Sequence, residues 1–186
     1  MISEEKKNKL FELSKEIVNS MKDKGIFVSV GYFFTDQLLI VGINPGYPKT
    51  EKALRLALMM NDIEDPRERE VFYYNILYNN YIGKYIKQIT GDMSKTSYTN
   101  LLKVPIEKDD LSKIGELIEK YRHFTDKQIE ILKPKRILCF GRFVANYFGL
   151  KGIDYNVPTM INDVEYMMVK HPINMRFKMY GKYAKL

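Results

Sequence analysis

Three segments of the chain carry polar side chains at the edges of predicted strands, where they could contact a ligand. The polar residues are Asn44 in residues 42–46, Asn100 in residues 97–105 and His171 in residues 169–176. Carboxamide groups form directional hydrogen bonds, and the charge of an imidazole changes near neutral pH. Because ligands of open α/β sheets bind at the carboxyl ends of the strands, we take these residues as candidates for a functional site.

Each segment also has an interpretation that involves no function. Asn-Pro-Gly at residues 44–46 is a turn signal, and Thr99 with Asn100 is consistent with a strand-end cap. A single histidine before proline is more often structural than catalytic. In the functional interpretation of the first segment, the turn holds the Asn44 amide over a cleft, while its glycines let a ligand approach the backbone closely. Only the combination of the three segments distinguishes these interpretations.

The elements that must position these residues follow an alternating order of strand and helix. Helices are predicted over residues 4–22, 51–60, 66–89, 109–132 with a possible break near His123, and 143–148. Strands are predicted over residues 26–34, 38–43, 98–104, 136–140, 158–161 and 164–169, the last two joined by a tight turn at residues 162–163. This order predicts an α/β fold with a mostly parallel sheet covered by helices on both faces. At 186 residues and without a linker, the chain is expected to form one domain over residues 1–186.

Composition argues against a metal, a cofactor and a membrane. A single cysteine, Cys139, excludes an internal disulfide and a four-cysteine iron–sulfur cluster, and two histidines argue against structural zinc. The longest apolar runs fall far short of the roughly 18 residues that span a bilayer. Since the charged N-terminal segment does not resemble a signal peptide, a cytoplasmic protein is expected.

The net charge of +7, with a pI near 9.2, suits a polyanionic partner. No acidic residue follows Glu165, and basic side chains alternate there with aromatic ones. Basic groups neutralise phosphates and aromatic rings stack on bases, so this segment is a candidate for binding nucleic acid. A solvated lysine-rich C-terminus is the alternative.

Taken together, the motifs resemble the uracil-DNA glycosylase superfamily over residues 38–176. Residues 42–46 are most similar to the mismatch-specific and single-strand-selective branches. Residues 99–105 and 133–142 are more similar to the thermostable branch, whose iron–sulfur cysteines this chain lacks, and His171-Pro172 closes the last strand as in the family. The resemblance implies a three-layer α/β/α sandwich with a short, mostly parallel sheet.

The resemblance also implies a mechanism, in which a nucleotide is flipped out and its N-glycosidic bond is cleaved by a monofunctional hydrolase. Asn44 would orient the attacking water, His171 would support the pyrimidine O2, and Asn100 would pair with the base. The residues beside them that would contact the base are Gly42, Ile43, Pro45, Gly46 and Tyr47. Those that would contact DNA are Lys170, Pro172, Asn174, Met175 and Arg176, with Met175 as the wedge in the base stack.

Two positions depart from the family pattern. Ile173 replaces a serine that could hold a backbone phosphate, and Gly46 replaces the bulky tyrosine that excludes the thymine methyl group in the strictly uracil-specific branch. A pocket without that tyrosine is expected to accept 5-substituted pyrimidines. The aromatic residue that stacks on the base is left open among Tyr47, Phe72 and Tyr74.

The expected function is therefore base excision repair, by a monomer acting on DNA that contains uracil or a related lesion. Two alternatives stay open. One is a nucleic-acid-binding protein on the same fold without catalysis. The other is an unrelated α/β enzyme or nucleotide-binding domain, for which Gly141 and Arg142 at a helix start are a candidate anion site. Lys103 either approaches DNA or is a solvated residue at a strand end.

Overall fold

The computed structural model describes residues 1–21, 28–45, 50–105 and 114–172. Within these ranges the chain forms six α-helices, which are α1 (Glu4–Met21), α2 (Glu51–Asp62), α3 (Pro66–Tyr78), α4 (Tyr81–Thr90), α5 (Ile114–Leu132) and α6 (Arg142–Tyr147). Six strands belong to the same ranges, namely β1 (Tyr32–Phe33), β2 (Leu38–Gly42), β3 (Ser97–Asn100), β4 (Arg136–Phe140), β5 (Pro158–Ile161) and β6 (Val164–Val169).

The six strands form one mixed sheet in the order β1-β3-β2-β4-β6-β5. The four inner strands β3, β2, β4 and β6 run parallel, whereas β1 and β5 pair antiparallel at the two edges. The inner strands β2 and β4 are almost entirely apolar, as expected where helices cover both sides of a parallel sheet, whereas the equally buried β3 carries polar side chains. The predicted α/β class with a mostly parallel sheet is confirmed.

Two hydrophobic clusters lie on opposite faces of the sheet because successive strand side chains alternate between faces. Leu39 and Val41 of β2 pack in a cluster with residues of α1, α5 and α6. Ile40 of the same strand packs in a second cluster with residues of α2, α3 and α4. The molecule therefore has a helix layer on each face of the sheet.

Helix α4 shows how the sequence produces this packing. Its buried residues Ile82, Tyr85, Ile86 and Ile89 recur at spacings of three and four, so they share one face of the helix. Full burial of an isoleucine side chain contributes roughly 1.5–3 kcal/mol to stability. Burial of this face against the sheet fixes the position of α4 beside β4 and β6, whose residues belong to the same cluster.

The helix predicted over residues 66–89 is wrong in one respect, because it is two helices. The Asn80 side chain accepts hydrogen bonds from the amides of Ile82 and Gly83, and so caps α4 as a new helix. The two helices pack closely at this break, since a Cβ atom on Gly83 would lie 2.1 Å from the carbonyl oxygen of Leu77. An asparagine pair within a periodic apolar pattern gave too weak a signal for this break.

Other predicted boundaries shift as well. The strand predicted over residues 26–34 is reduced in the described residues to Tyr32–Phe33, and the one over 98–104 lies at Ser97–Asn100. Helix α5 runs without a break through His123, and residues 109–113 of its predicted span lie outside the described residues. The tight turn at residues 162–163 is confirmed, since Asn162 and Asp163 have φ values of 47° and 63°.

The chain remains paired with β2 after β3 ends. The Leu101 amide donates to the carbonyl oxygen of Gly42 at 2.9 Å, and the Leu102 amide donates to that of Ile43 at 2.8 Å. Leu101 and Leu102 are fully buried. These bonds keep the segments after β2 and β3 side by side beyond the end of the sheet.

In the part of the chain that the structure describes, no helix combines the length and the apolar character that crossing a membrane requires.

Candidate functional site

The carboxyl ends of the four parallel strands meet at one edge of the sheet. We call this the carboxyl edge and define it as residues 42–45, 100–103, 140–142 and 169–172. Asn44 follows β2, Asn100 ends the adjacent strand β3, and His171 follows β6, two strands from β2. With neighbouring strands about 4.8 Å apart, β2 and β6 are separated by about 10 Å. The topology therefore brings all three candidate residues to the same edge.

Half of the other predicted contact residues are described by the structure, and they belong to the same edge. Gly42, Ile43 and Pro45 lie at the end of β2, while Lys170 and Pro172 follow β6. Five predicted residues lie outside the described residues, namely Gly46, Tyr47, Asn174, Met175 and Arg176. Ile173 lies outside them too.

Gly42 is directly opposite Asn100 in the parallel register of β2 and β3. A Cβ atom on Gly42 would lie 2.5 Å from Oδ1 of Asn100 and 2.7 Å from the hydroxyl oxygen of Tyr98. No side chain fits there unless both groups move. The glycine is therefore required by this close approach of the Asn100 carboxamide to β2.

The Asn100 carboxamide lies in a buried cluster with three hydroxyl groups, those of Ser29, Tyr73 and Tyr98, which we call the hydroxyl cluster. Tyr98 donates to Oδ1 of Asn100 at 2.9 Å. Nδ2 of Asn100 donates to Ser29 and to Tyr73, each at 3.2 Å. Ser29 in turn donates to the Tyr73 hydroxyl at 2.7 Å. All four residues are at most 1% exposed.

Burial determines the ionisation of the cluster. Desolvation raises the pKa of Tyr73 and of Tyr98, because a buried phenolate would lose its hydration. Both hydroxyls therefore stay protonated over the physiological range and remain hydrogen-bond donors. Since both Nδ2 hydrogens of Asn100 are used within the cluster, the hydrogen-bonding capacity left on its side chain is a lone pair of Oδ1.

Asn44 differs from Asn100 in its surroundings. Its side chain is half-buried, and no hydrogen bond joins it to another residue of the described ranges. The bond between the Leu102 amide and the carbonyl oxygen of Ile43 fixes the backbone immediately before it. Asn44 thus combines an anchored backbone with a carboxamide that can bind a small molecule such as water.

Two contacts fix the chain around His171. The Tyr85 hydroxyl of α4 donates to the carbonyl oxygen of Lys170 at 2.8 Å, and the Gly141 amide donates to that of Val169 at 2.8 Å. Gly141 has a φ of 88°, and a Cβ atom on it would lie 3.3 Å from Cβ of His171. Burial lowers the pKa of His171, which makes the neutral imidazole the dominant form at pH 7.

Lys103 is fully buried, so both sequence-based interpretations of it are wrong. Its ammonium group donates to Oγ1 of Thr99, the carbonyl oxygen of Asn100 and Oε1 of Gln128, at 2.8, 2.6 and 2.7 Å. Burial lowers the pKa of Lys103 well below its usual value, and the charge of Asp126 partly opposes the shift. Lys103 anchors the end of β3 to α5, on the face opposite the hydroxyl cluster.

The aromatic residues considered for stacking on a base have other surroundings. Tyr74 packs edge-to-face against Tyr32 at 5.3 Å and Phe34 at 4.9 Å between ring centres. Phe72 lines an open groove of about 410 Å³ on the outer face of α3. None of the carboxyl-edge residues lines this groove. Tyr74 therefore belongs to an aromatic cluster with Tyr32 and Phe34.

The residues considered for metal or anion binding have the following surroundings in the described ranges. No group of three or more His, Cys, Asp or Glu side chains in them is arranged to hold a metal ion. Cys139 lies inside β4, where burial raises its pKa to about 12 and keeps the thiol protonated. The guanidinium group of Arg142 lies over the ring of Tyr155, 5.9 Å from its centre.

No protein-family model and no curated protein matches this chain. The carboxyl edge is therefore the basis for assigning a function.

Sequence reasoning missed two hydrogen-bond partners of Asn100 and the burial of Lys103. Ser29 and Tyr73 lie 71 and 27 residues from Asn100 along the chain, and nothing in their local patterns connects them to it. For Lys103, the apolar residues on either side were a usable signal, since Leu102 and Val104 favour burial of the whole segment.

Proposed function

We propose that this protein is a DNA glycosylase with a uracil-DNA glycosylase-like fold, which hydrolyses the N-glycosidic bond of uracil in DNA. Related pyrimidine lesions are proposed as further substrates. The observation that supports this proposal is the parallel alignment of β2, β3 and β6, which brings Asn44, Asn100 and His171 to one edge. The net charge of +7 suits DNA as the partner. The product, an abasic site, is the starting point of base excision repair.

The reaction separates charge, so the site has to stabilise both parts. As the bond from C1′ to N1 breaks, its electron pair remains on the base and the sugar becomes an oxocarbenium ion. A water oxygen then bonds to C1′ and loses a proton to solvent. Asn44 holds that water through its carboxamide, which is a poor base, so that positioning supplies most of its effect.

His171 stabilises the departing base. The lowered pKa keeps the imidazole neutral, and its N–H donates to the pyrimidine O2 as negative charge develops there. Because the hydrogen bonds to the carbonyl oxygens of Val169 and Lys170 fix the backbone immediately before His171, little reorganisation is needed during the reaction.

Asn100 selects the base through its carboxamide oxygen. Uracil presents N3–H, which can donate to a lone pair of Oδ1, whereas N3 of cytosine is itself an acceptor. Placing two acceptors against each other leaves both without a partner, which disfavours cytosine.

The test is base release from an oligonucleotide that carries one uracil, followed by alkaline cleavage of the abasic site. We expect the wild-type protein to release uracil and Asn44→Ala to reduce the rate by about 100-fold, the size of effect expected when a positioning group is lost. Asn75→Ala is the matched control, since Asn75 is exposed on α3 and lies outside the carboxyl edge.

Equal rates for Asn44→Ala and wild type would contradict the role of Asn44, and absence of release by wild type would contradict the proposed reaction. The full burial of Asn100 favours one alternative, a nucleic-acid-binding protein on the same fold that releases no base. Salt-sensitive DNA binding without release during prolonged incubation would support that alternative.

A further inference from the structure

We propose that Tyr98, with Ser29 and Tyr73, acts as a positioning residue that holds the Asn100 carboxamide in one of its two orientations and so gives the site its preference for uracil over cytosine. This inference rests on the proposed function, because it concerns how the same site selects its base. The observation behind it is the hydroxyl cluster at the end of β3.

An asparagine amide can present its oxygen or its nitrogen in the same direction after a rotation of 180°. The two orientations would select opposite bases, since the oxygen accepts a hydrogen bond from uracil N3–H and the nitrogen donates one to cytosine N3. An asparagine by itself therefore does not specify uracil. Its surroundings have to favour one orientation.

Tyr98 favours the observed orientation directly. Its hydroxyl hydrogen is donated to Oδ1 of Asn100 at 2.9 Å, and burial of the Tyr98 side chain leaves no water to replace that acceptor. After rotation of the amide, Nδ2 would face the Tyr98 oxygen, and the Tyr98 hydrogen would lose its acceptor.

Ser29 and Tyr73 favour the same orientation from the other side of the amide. Ser29 donates its single hydroxyl hydrogen to Tyr73, so it faces Nδ2 of Asn100 as an acceptor. Rotation of the amide would bring Oδ1 against this acceptor, at a site where all four residues are at most 1% exposed. The cluster thus penalises the rotated amide on both sides.

The cluster also limits what Asn100 can recognise. Both Nδ2 hydrogens are donated to Ser29 and Tyr73, so one lone pair of Oδ1 is left for a base. Selection then depends on an N–H group at the pyrimidine 3-position. The uracil O4 is recognised by another group, or not at all.

The experiment compares dissociation constants for two single-stranded oligonucleotides that differ only in one uracil or cytosine. They are measured by fluorescence anisotropy with Asn44→Ala, which serves as the parent because it is expected to leave the base attached. Tyr98→Phe is added to this parent as the test variant. Tyr32→Phe is added separately as the control, because Tyr32 is also fully buried, stacks on Tyr98 with ring centres 6.1 Å apart, and has its hydroxyl bonded to Thr96 instead.

We expect the parent to prefer the uracil oligonucleotide by about tenfold or more, as for one unpaired buried polar contact. Tyr98→Phe should bring the ratio close to one, and Tyr32→Phe should leave it unchanged. If Tyr98→Phe does not fold, as judged by its thermal transition, Tyr73→Phe takes its place with the same expectation.

A preference that persists in Tyr98→Phe would overturn the proposal, and so would a parent that does not distinguish the two oligonucleotides. Uracil release by the protein with Asn44 intact is measured separately and decides the proposed reaction. If release occurs but Tyr98→Phe keeps its preference, only the role of Tyr98 fails. If nothing is released but the preference depends on Tyr98, only the reaction fails.

Discussion

At the scale of single residues, the carboxyl edge contains polar groups that differ greatly in how fully they are bonded. Asn100 and Lys103 are fully buried, and each has partners for all its N–H hydrogens. Asn44 and His171 are only half-buried. Fully bonded buried groups add rigidity, whereas partly exposed ones can change partners when a ligand arrives. Asn100 and Lys103 therefore keep fixed positions at the edge, whereas Asn44 and His171 can change partners during the reaction.

The protonation state of His171 should determine how the rate of uracil release depends on pH. Its pKa is lowered from 6.5 by burial, so the neutral form required for the proposed role persists below pH 6.5. We expect the rate to stay constant from pH 8 to 6.5 and to fall only under more acidic conditions. His171→Gln should lower the rate at pH 7 by about tenfold or more, because an amide donor replaces the positioned imidazole.

The lowered pKa of His171 also affects the free energy of unfolding, and this effect can be measured separately from activity. A lowered pKa means that the folded protein disfavours protonated His171, so stability is lost as the pH falls through the unfolded and then the folded pKa. Circular dichroism at each pH would separate unfolding from loss of catalysis. A rate that declines already between pH 8 and 6.5, with the fold intact, would contradict a neutral His171.

At the scale of elements, the break between α3 and α4 depends on Asn80. Its Oδ1 accepts from the amides of Ile82 at 2.8 Å and Gly83 at 3.2 Å. Asn80→Ala leaves these helix-terminal amides without a side-chain acceptor, and we expect a loss of about 1 kcal/mol in the free energy of unfolding. Urea denaturation measures it. Asn79→Ala is the control, because Asn79 is exposed and its side chain only donates to the carbonyl oxygen of Asn75, so its loss should cost less than half as much.

The elements also show how far the sequence determines the structure. Continuous apolar runs predicted β2 and β4 to within one residue, and the turn at Asn162 and Asp163 predicted the last hairpin. The segment after β3 was not predictable in this way. Leu101, Leu102 and Val104 are as apolar as strand residues, but β3 ends at Asn100. The amides of Leu101 and Leu102 continue the pairing with Gly42 and Ile43, and the Lys103 side chain then points inward to Gln128. Local periodicity reports burial, whereas pairing depends on partners distant in sequence.

The candidate site was predictable to a similar extent. Asn44 and His171 were found because each follows an apolar strand, and Asn100 was found because it is a polar residue at the edge of a predicted strand. Parallel topology then brings the strand ends together. Two partners of Asn100 come from α3 and from the segment before β1, and the chain before His171 is bonded to α4 and to Gly141 after β4. Only the three-dimensional packing of these elements reveals such contacts.

At the scale of the whole molecule, Glu70 joins three parts of the fold. Its Oε1 accepts a hydrogen bond from the backbone amide of Phe33 in β1 at 2.6 Å. Its Oε2 lies 3.8 Å from the ammonium nitrogen of Lys7 in α1. Burial raises the pKa of this carboxyl, although the amide and the lysine partly oppose the shift. The folded protein therefore prefers Glu70 protonated more than the unfolded chain does.

The sign of the pH effect follows from this preference. Stability contributed by a raised pKa is present below the unfolded value of 4.5 and is lost as the pH rises through the folded value. We expect Glu70→Gln, which keeps the acceptor for Phe33, to gain stability relative to wild type as the pH rises from 4 to 7. Urea denaturation across this range measures the difference.

Glu5→Gln provides a control of opposite sign. Glu5 is exposed and pairs with Lys9, and its pKa is lowered by that hydrogen bond. Its contribution is present above the unfolded pKa and lost as the pH falls. The stability gain of Glu70→Gln over wild type, measured as the free energy of unfolding, should grow from pH 4 to 7. If it stays constant or shrinks, Glu70 ionises without cost in the folded protein.

Strand β3 carries polar side chains to both faces of the sheet, and this has a consequence for evolution. Thr99 bonds to Gln128 on one face, while Asn100 bonds to Tyr73 on the other. A substitution in this short strand therefore requires compensating changes at positions far apart in the chain. Related sequences should vary in two independent sets, one joining positions 99, 103 and 128 and the other joining positions 29, 73, 98 and 100. A homologue that keeps positions 29, 73, 98 and 100 but changes positions 99, 103 and 128 should still select the same base, with different residues joining β3 to α5.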